Sequence, residues 1–158
     1  LEEVYVQRLQ LNPGAAELVR ACKAAGFKVL LVSGGFTFFA DRIKDRLGID
    51  FARSNRLEIT SGPNCGQLTG GLDMQSWGEI CDGAEKRRTL LEVASLMGIE
   101  LSQCIAMGDG ANDLPMMTAC SESGGLSVAY HAKPKVREQA MVSIESGGLD
   151  RLLEVLQS

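Results

Sequence analysis

The fold of this chain is decided by residues 105–117, which read IAMGDGANDLPMM. A short apolar run ends abruptly in Gly-Asp-Gly, and Asp113 follows Asp109 four residues later. The apolar residues after Asp113 open a helical pattern, so the run before Asp109 is predicted to be a buried strand. Two carboxylates at the carboxyl end of such a strand lie where open α/β sheets have their ligand crevice.

The two carboxylates repel each other when both are ionised, so their spacing predicts a cation at this position. Hard oxygen ligands of this kind suit Mg²⁺. The alternative is that both aspartates cap helices, and it is weak for Asp113, which has no obvious capping role. Asn112 either caps the helix or contacts a ligand, and the sequence does not rank the two.

The residues before this stretch alternate between helix and strand. Asn12 is predicted to be the N-cap of a helix, with Pro13 as its first residue and Gly26 as its end. Residues 28–32 form a short run rich in β-branched side chains, which predicts a buried strand. Ser33, Gly34 and Gly35 are predicted to break that strand, and an amphipathic helix follows.

The rest of the chain continues the alternation. Strands are predicted within 51–60, at 103–107, 126–129 and 142–144, a hairpin arm at 67–72 after a turn at 61–66, and helices at 84–97, 112–120, 134–139 and around 149–156. Strands that alternate with helices indicate a doubly wound parallel sheet with helices on both faces, a three-layer α/β/α fold. We expect a single core domain over residues 1–158, in which residues 1–10 are the tail of a cap or linker helix.

A glycine-rich turn follows the first predicted strand. Ser33, Gly34 and Gly35 come directly before a helix, so backbone N–H groups, the helix N-terminus and one hydroxyl converge there. Such a turn can bind an anion such as phosphate, because glycine lets the backbone approach closely. Considered alone, a tight strand-to-helix turn without a ligand is the better interpretation.

A second candidate is Lys86, which lies in the first turn of a predicted helix together with Arg87 and Arg88. The helix macrodipole disfavours cations at that end, so something else is expected to hold at least one of them there, and an anionic ligand would do so. A solvated basic face is the usual alternative. We expect Arg87 and Arg88 to belong to that face and Lys86 to be the functional cation.

Taken together, the three sites resemble motifs two, three and four of the haloacid-dehalogenase-like superfamily of phosphatases, in the same order and with similar spacing. The resemblance covers most of the chain from about Leu11 onward. It implies that Ser33, Gly34 and Gly35 bind the phosphoryl oxygens and that Asn112 contacts substrate or phosphate. It also implies catalytic roles for Lys86, which neutralises the phosphate, and for Asp113, which orients the metal site. Asp109 and Asp113 would provide the Mg²⁺ site.

The stretch 129–136, AYHAKPKV, resembles the superfamily members that hydrolyse phosphoserine. The resemblance therefore implies a Mg²⁺-dependent phosphomonoester hydrolase with phosphoserine, a small phosphorylated metabolite, as its substrate. Two alternatives stay open. One is a related enzyme for another small phosphomonoester, and the other is a non-catalytic module that binds a phosphorylated ligand.

One departure from the superfamily is large. Its members carry an aspartate nucleophile in an Asp-x-Asp motif on the first strand, and no Asp-x-Asp occurs in these 158 residues. The first strand and the cap that reads the substrate are therefore expected to be missing. We expect the chain to be part of a longer protein, to be inactive alone, and to have its sheet completed by another segment or a second copy.

Composition excludes several functions. The net charge is −4, so a nucleic-acid partner has little electrostatic support. Hydrophobic residues make up 45%, which is ordinary for a globular protein, and no stretch is long enough to predict a membrane span. The five cysteines are scattered without a CxxC pair, which favours a reducing, cytoplasmic compartment.

Overall fold

The structure is a computed structural model that describes residues 1–59, 67–72 and 80–157. Its helices are α1 Glu2–Arg8, α2 Ala15–Ala24, α3 Thr37–Leu47, α4 Gly83–Met97, α5 Leu114–Glu122, α6 Pro134–Gln139 and α7 Arg151–Leu156. Its strands are β1 Leu30–Phe36, β2 Phe51–Asn55, β3 Leu57–Ile59, β4 Leu68–Leu72, β5 Ile105–Gly108, β6 Leu126–Tyr130 and β7 Val142–Ile144.

Parallel strands form two separate sheets. β1 pairs with β2, and β5, β6 and β7 pair in that order, all in parallel. β3 and β4 form the predicted antiparallel hairpin, whose turn at 61–66 lies outside the described residues. The predicted α/β class is confirmed. Within the described ranges no ladder joins β1 to β5.

The apolar core surrounds the sheet of β5, β6 and β7. On one face, α4, α5 and α6 pack through Leu90, Met117 and Val136 against Ala106 and Ala129. On the other face, α7 and α2 cover a cluster of Val128, Ile144 and Leu152, with Leu18 against it. β6 is therefore buried on both sides, as a central parallel strand requires. This packing holds the carboxyl end of β5 in place.

The first strand differs from its predicted bounds. β1 does not end at Ser33 but runs on to Phe36 with a break in register. Val32 pairs with Arg53 and Phe36 pairs with Asn55, so residues 33–35 stand opposite Ser54 alone. The serine and glycines therefore form a bulge inside the strand, because pairing with β2 resumes after them.

The start of α2 also corrects a prediction. The N-cap is Gly14 at φ +78°, not Asn12, and no side chain caps the helix. The carbonyl of Pro13 accepts a hydrogen bond from Leu149 N–H at 2.7 Å, and a Cβ on Gly14 would overlap the side chain of Asp150. Contact with the C-terminal loop therefore sets this turn, a contact that local capping rules do not include.

The ends of most other helices and strands agree with the predictions to within a few residues. The helix at 134–139 and the strand at 142–144 are confirmed at the predicted bounds, and Gly48 and Gly98 end α3 and α4 in the left-handed conformation. The strand predicted from 103 begins at Ile105, because a 3₁₀ turn occupies Leu101–Gln103. No helix among the described residues has the length and apolarity of a membrane span.

Candidate active site

The centre of the candidate site is a buried ion pair between two helical segments. Lys86 Nζ donates to Asp113 Oδ1 at 2.7 Å, and the two residues are only 6% and 5% exposed. Lys86 lies in the second turn of α4, and Asp113 precedes α5, which packs against α4. The predicted functional cation thus has an anionic partner, and that partner is a side chain of the same chain.

Asp113 organises the turn at the end of β5. Its Oδ2 accepts hydrogen bonds from the N–H groups of Asp109 at 3.0 Å and Gly110 at 3.1 Å. A Cβ on Gly108 would overlap this carboxylate, so only glycine fits there. No side chain caps α5, but the bond from Gly110 N–H is a capping contact at the start of the 3₁₀ turn Ala111–Asp113. The aspartate thus holds the loop that carries Asp109.

Burial alone would raise the pKa of Asp113, but the hydrogen bonds from Lys86 and the Gly110 amide outweigh it and lower the pKa below its usual value. Asp113 is therefore ionised at neutral pH. The positive charge that the carboxylate spacing predicted is supplied at Asp113 by the Lys86 ammonium. Carboxylate repulsion is thus a weaker argument for a metal than the sequence suggested.

Asp109 has a different environment. It is exposed, and among residues 1–59, 67–72 and 80–157 its carboxylate has no hydrogen bond or ion pair. A carboxylate in this state is available to a cation, and its hard oxygens suit Mg²⁺. Within the described chain no group of three or more acidic, histidine or cysteine side chains is placed to hold a metal. Asp109 and Asp113 therefore form an incomplete set of metal ligands.

The start of α4 is fixed by charges and a cap. Asp82 is the N-cap, and its side chain accepts from Glu85 N–H at 3.0 Å. Glu85, itself only 5% exposed, pairs with Arg53 of β2 at 3.0 Å and with Arg88 at 2.8 Å. Arg87 is exposed as expected, whereas Arg88 is an ion-pair partner, not only a solvated cation. These contacts hold α4 against β2.

The serine–glycine bulge is stabilised by two polar contacts. Gly35 N–H donates to Ser33 Oγ at 3.0 Å, and the Gly34 carbonyl accepts from Asn55 Nδ2 at 2.8 Å. Asn55 Oδ1 accepts in turn from Cys81 N–H at 2.7 Å. One buried amide therefore links the bulge to the segment that precedes α4. Asn55 was not among the predicted site residues, because its only signal in the sequence was that it lies in the region 51–60, where strands were predicted.

Asn112 is exposed and lies in the 3₁₀ turn Ala111–Asp113. Its backbone carbonyl oxygen would be 3.1 Å from a Cβ on Gly83, so this turn contacts the start of α4 closely. Since no side chain caps α5, the capping interpretation of Asn112 loses support, and contact with a ligand stays a prediction. Lys86, Asp109, Asn112 and Asp113 thus share one neighbourhood.

The sequence and structure have clear relatives. A family model described as haloacid dehalogenase-like hydrolase matches residues 1–118. A protein of Polaromonas sp. named phosphoserine phosphatase is 66% identical over 157 residues, which cover 99% of this chain and 63% of that protein. The chain therefore spans less than two thirds of that relative's length.

Two solved structures extend the comparison. The unliganded probable phosphoserine phosphatase of Vibrio cholerae matches with a TM-score of 0.86 and 41% identity over 99% of this chain and 45% of that one. A structure described as a phospho-aspartyl intermediate analogue of phosphoserine phosphatase matches with a TM-score of 0.81 and 35% identity over 95% of this chain and 66% of that one. The chain belongs to the haloacid dehalogenase-like hydrolase family.

Proposed function

We propose that this chain forms the phosphate-binding core of a Mg²⁺-dependent phosphoserine phosphatase, which hydrolyses O-phospho-serine to serine and phosphate. The observation that carries the proposal is the buried Lys86–Asp113 pair directly behind the exposed Asp109 at the end of β5. Burying two charges is costly. Groups with shifted pKa values cluster at functional sites, and in open α/β sheets ligands bind at the carboxyl ends of the strands. The resemblance to named phosphoserine phosphatases supports the choice of substrate.

Three groups of this chain would act on the phosphate. Ser33 Oγ and the N–H groups of Gly34 and Gly35 would donate to the phosphoryl oxygens. Lys86, whose partner Asp113 keeps it in place, would offset charge on the phosphate as it is transferred. Such chemistry depends mainly on positioning and on electrostatic stabilisation of the equatorial oxygens. Asn112 would contact the substrate from the edge of the same crevice.

Asp109 fits the role of a Mg²⁺ ligand, because its carboxylate is exposed and has no partner within the described residues. When bound, Mg²⁺ would neutralise charge on the phosphoryl group. Asp113, whose two oxygens already accept hydrogen bonds, would set the backbone position of Asp109. A complete coordination sphere needs donors from other residues or water.

The nucleophile is the part that these 158 residues do not provide, since they contain no Asp-x-Asp. β1 and β5 each pair with only one strand in the described structure, so each has an open edge. We propose that a strand from another segment or a second copy pairs with these edges and brings the nucleophilic aspartate. The chain without it would be catalytically silent. A cytoplasmic location stays a prediction from the scattered cysteines.

The direct test measures phosphate release from O-phospho-serine by the natural protein that contains this chain, with and without Mg²⁺. We expect Mg²⁺-dependent release that Asp109→Asn abolishes and that the exposed control Asp45→Asn leaves unchanged. A panel of other phosphomonoesters addresses the alternative substrate. Faster release from another substrate, or release without a divalent cation, would contradict the proposal.

A non-catalytic binding module is the second candidate. It is favoured by one observation: the Lys86–Asp113 pair is intact in a chain that lacks the nucleophile motif. Phosphate or phosphoserine binding without turnover, by a natural protein with no Asp-x-Asp in any segment, would support it. An Asp-x-Asp elsewhere in that protein, together with turnover, would exclude it.

A further inference from the structure

Asn55 is a buried amide whose two polar atoms bind two different segments of the candidate site. It is 3% exposed and ends β2. Its Nδ2 donates to the carbonyl of Gly34 in the bulge, and its Oδ1 accepts from Cys81 N–H just before α4. A buried amide is costly unless both ends are satisfied, and here each end has a partner at 2.8 Å or less.

The first contact determines which way a peptide group faces. The carbonyl of Gly34 and the N–H of Gly35 belong to one planar trans peptide, so they point in opposite directions. Because Asn55 holds the carbonyl on its own side, the Gly35 N–H faces away, toward Ser33 Oγ at 3.0 Å. Glycine on both sides leaves this peptide free to rotate otherwise. The amide of Asn55 thus selects the orientation in which the Gly35 N–H lies on the side of Ser33 Oγ.

The second contact anchors the approach to Lys86. Cys81 N–H is fixed by Asn55, and the next residue, Asp82, is the N-cap of α4. The carbonyl of Asp82 accepts from Lys86 N–H at 2.9 Å. Arg53, two residues before Asn55 on β2, pairs with Glu85 in the same helical turn. β2 therefore holds the first turn of α4 at two points.

We infer that Asn55 is the positioning residue of the phosphoryl site, one that orients the Gly34–Gly35 peptide and the start of α4 without touching substrate. The inference rests on the proposed function for the identity of the anion. β2 carries no group that is expected to touch the substrate. Under this inference, β2 joins the serine–glycine bulge to α4, the helix that carries Lys86. If Asn55 had only a structural role, its substitution would lower stability but leave the site of the folded protein intact.

The test compares Asn55→Ala and Asn55→Asp with a matched control, Asn12→Ala, in the natural protein that contains this chain. Asn55→Asp keeps an acceptor for Cys81 N–H but loses the donor to Gly34 and adds a negative charge, whereas Asn55→Ala removes both contacts without adding charge, so an effect common to the two variants is not due to charge. Two measurements are made well below each variant's thermal midpoint. The first is the NMR chemical shift of the Gly35 amide without ligand, and the second is the Kd for inorganic phosphate.

We expect both Asn55 variants to shift the Gly35 amide resonance and to weaken phosphate binding by about tenfold, equal to about 1.4 kcal/mol. Asn12→Ala should change neither. An unmoved Gly35 resonance, or a phosphate Kd within twofold of the wild type in either folded Asn55 variant, would overturn the inference. A different result is a wild type that binds phosphate without hydrolysing phosphoserine, together with Asn55 variants that lose phosphate binding. That result would support the inference and contradict the proposed function.

Discussion

The two parallel sheets of this chain bury similar sequences to different degrees. β6 places three of its five residues in the interior, whereas β1, which is just as apolar in its first half, buries none completely. β6 has a strand on each side and helices on both faces, while among residues 1–59, 67–72 and 80–157 β1 pairs with β2 alone. The number of neighbours, not the hydrophobicity of the strand, makes the difference.

The difference separates two ways of holding a functional group. Asp113 and Lys86 are set among α4, α5 and β5, where apolar packing fixes the backbone and an ion pair fixes the side chains. Gly34 and Gly35 of the serine–glycine bulge are exposed, and the orientation of the bulge depends on a hydrogen bond donated by Asn55 to Gly34 and one that Ser33 Oγ accepts from Gly35 N–H. We therefore expect substitutions in the packed half to lower stability, whatever they do to activity, and those in the bulge to weaken binding with little loss of stability.

The largest effect is expected when the buried ion pair is broken. Lys86→Met leaves the Asp113 carboxylate buried without its cation, which should lower the free energy of unfolding by about 3 kcal/mol or more. In the active protein the same change should reduce kcat by roughly 10²-fold to 10³-fold. Urea denaturation and steady-state kinetics measure the two. Lys135→Met, at an exposed lysine, is the control, and an equal loss in both variants would refute the role of the pair.

A matched pair of valines tests the comparison of strands directly. Val128 in β6 is fully buried, whereas Val32 in β1 is half-buried. Val128→Ala should cost about 2–3 kcal/mol, because it leaves a cavity in a packed core, and Val32→Ala about 1 kcal/mol. Thermal or chemical denaturation of the two variants gives the values. Equal losses would mean that β1 is covered as well as β6.

The charge of Asp113 should make stability depend on pH in a defined window. Its pKa is lower in the folded chain than its ordinary value of 3.8, so it stabilises the fold above that value. This contribution is lost as the pH falls through the folded pKa. We expect the stability gap between wild type and Asp113→Asn to be constant near neutral pH and to shrink below pH 4. Denaturation midpoints from pH 7 to pH 2 measure it, and a gap that widens in acid would be inconsistent with an ionised pair.

The smallest effect is expected at the N-terminus of α2. Asn12 has the sequence of an N-cap, whose removal usually costs about 1 kcal/mol. Since its side chain caps nothing in the structure, Asn12→Ala should change the free energy of unfolding by less than about 0.5 kcal/mol. Differential scanning calorimetry resolves the two cases. A loss of stability of about 1 kcal/mol would restore the interpretation of Asn12 as an N-cap.

Local patterns predicted most of the elements because each carried its own signals. α4 has Gly98 as its stop, α6 begins with a proline, and β6 is a compact apolar strand between turns. The same patterns failed where distant residues intervene. The bulge in β1 depends on pairing with β2 on both sides of it, and the turn at Gly14 depends on the loop around Asp150.

In the candidate site, too, local patterns predicted some features and distant contacts decided the others. The spacing of Asp109 and Asp113 after an apolar run placed both carboxylates at the end of a strand, and the cation at Lys86 was expected to be held by an anionic ligand. That its anionic partner is Asp113, 27 residues away, follows only from the packing of α4 against α5. A residue pattern reports what is adjacent in the chain, whereas a hydrogen bond across elements depends on the fold.

The sequence by itself determined the α/β class, the family resemblance and the positions of the serine–glycine turn, the lysine and the two aspartates, because all of these are encoded within short stretches. The tertiary structure alone decided that Asp113 is neutralised by Lys86, while the Asp109 carboxylate is exposed and has no partner in the part of the chain that the structure describes. It also decided that Asn55 joins the bulge to α4. The physical reason is that burial and electrostatic pairing depend on which elements meet in space, and separation along the chain does not specify that.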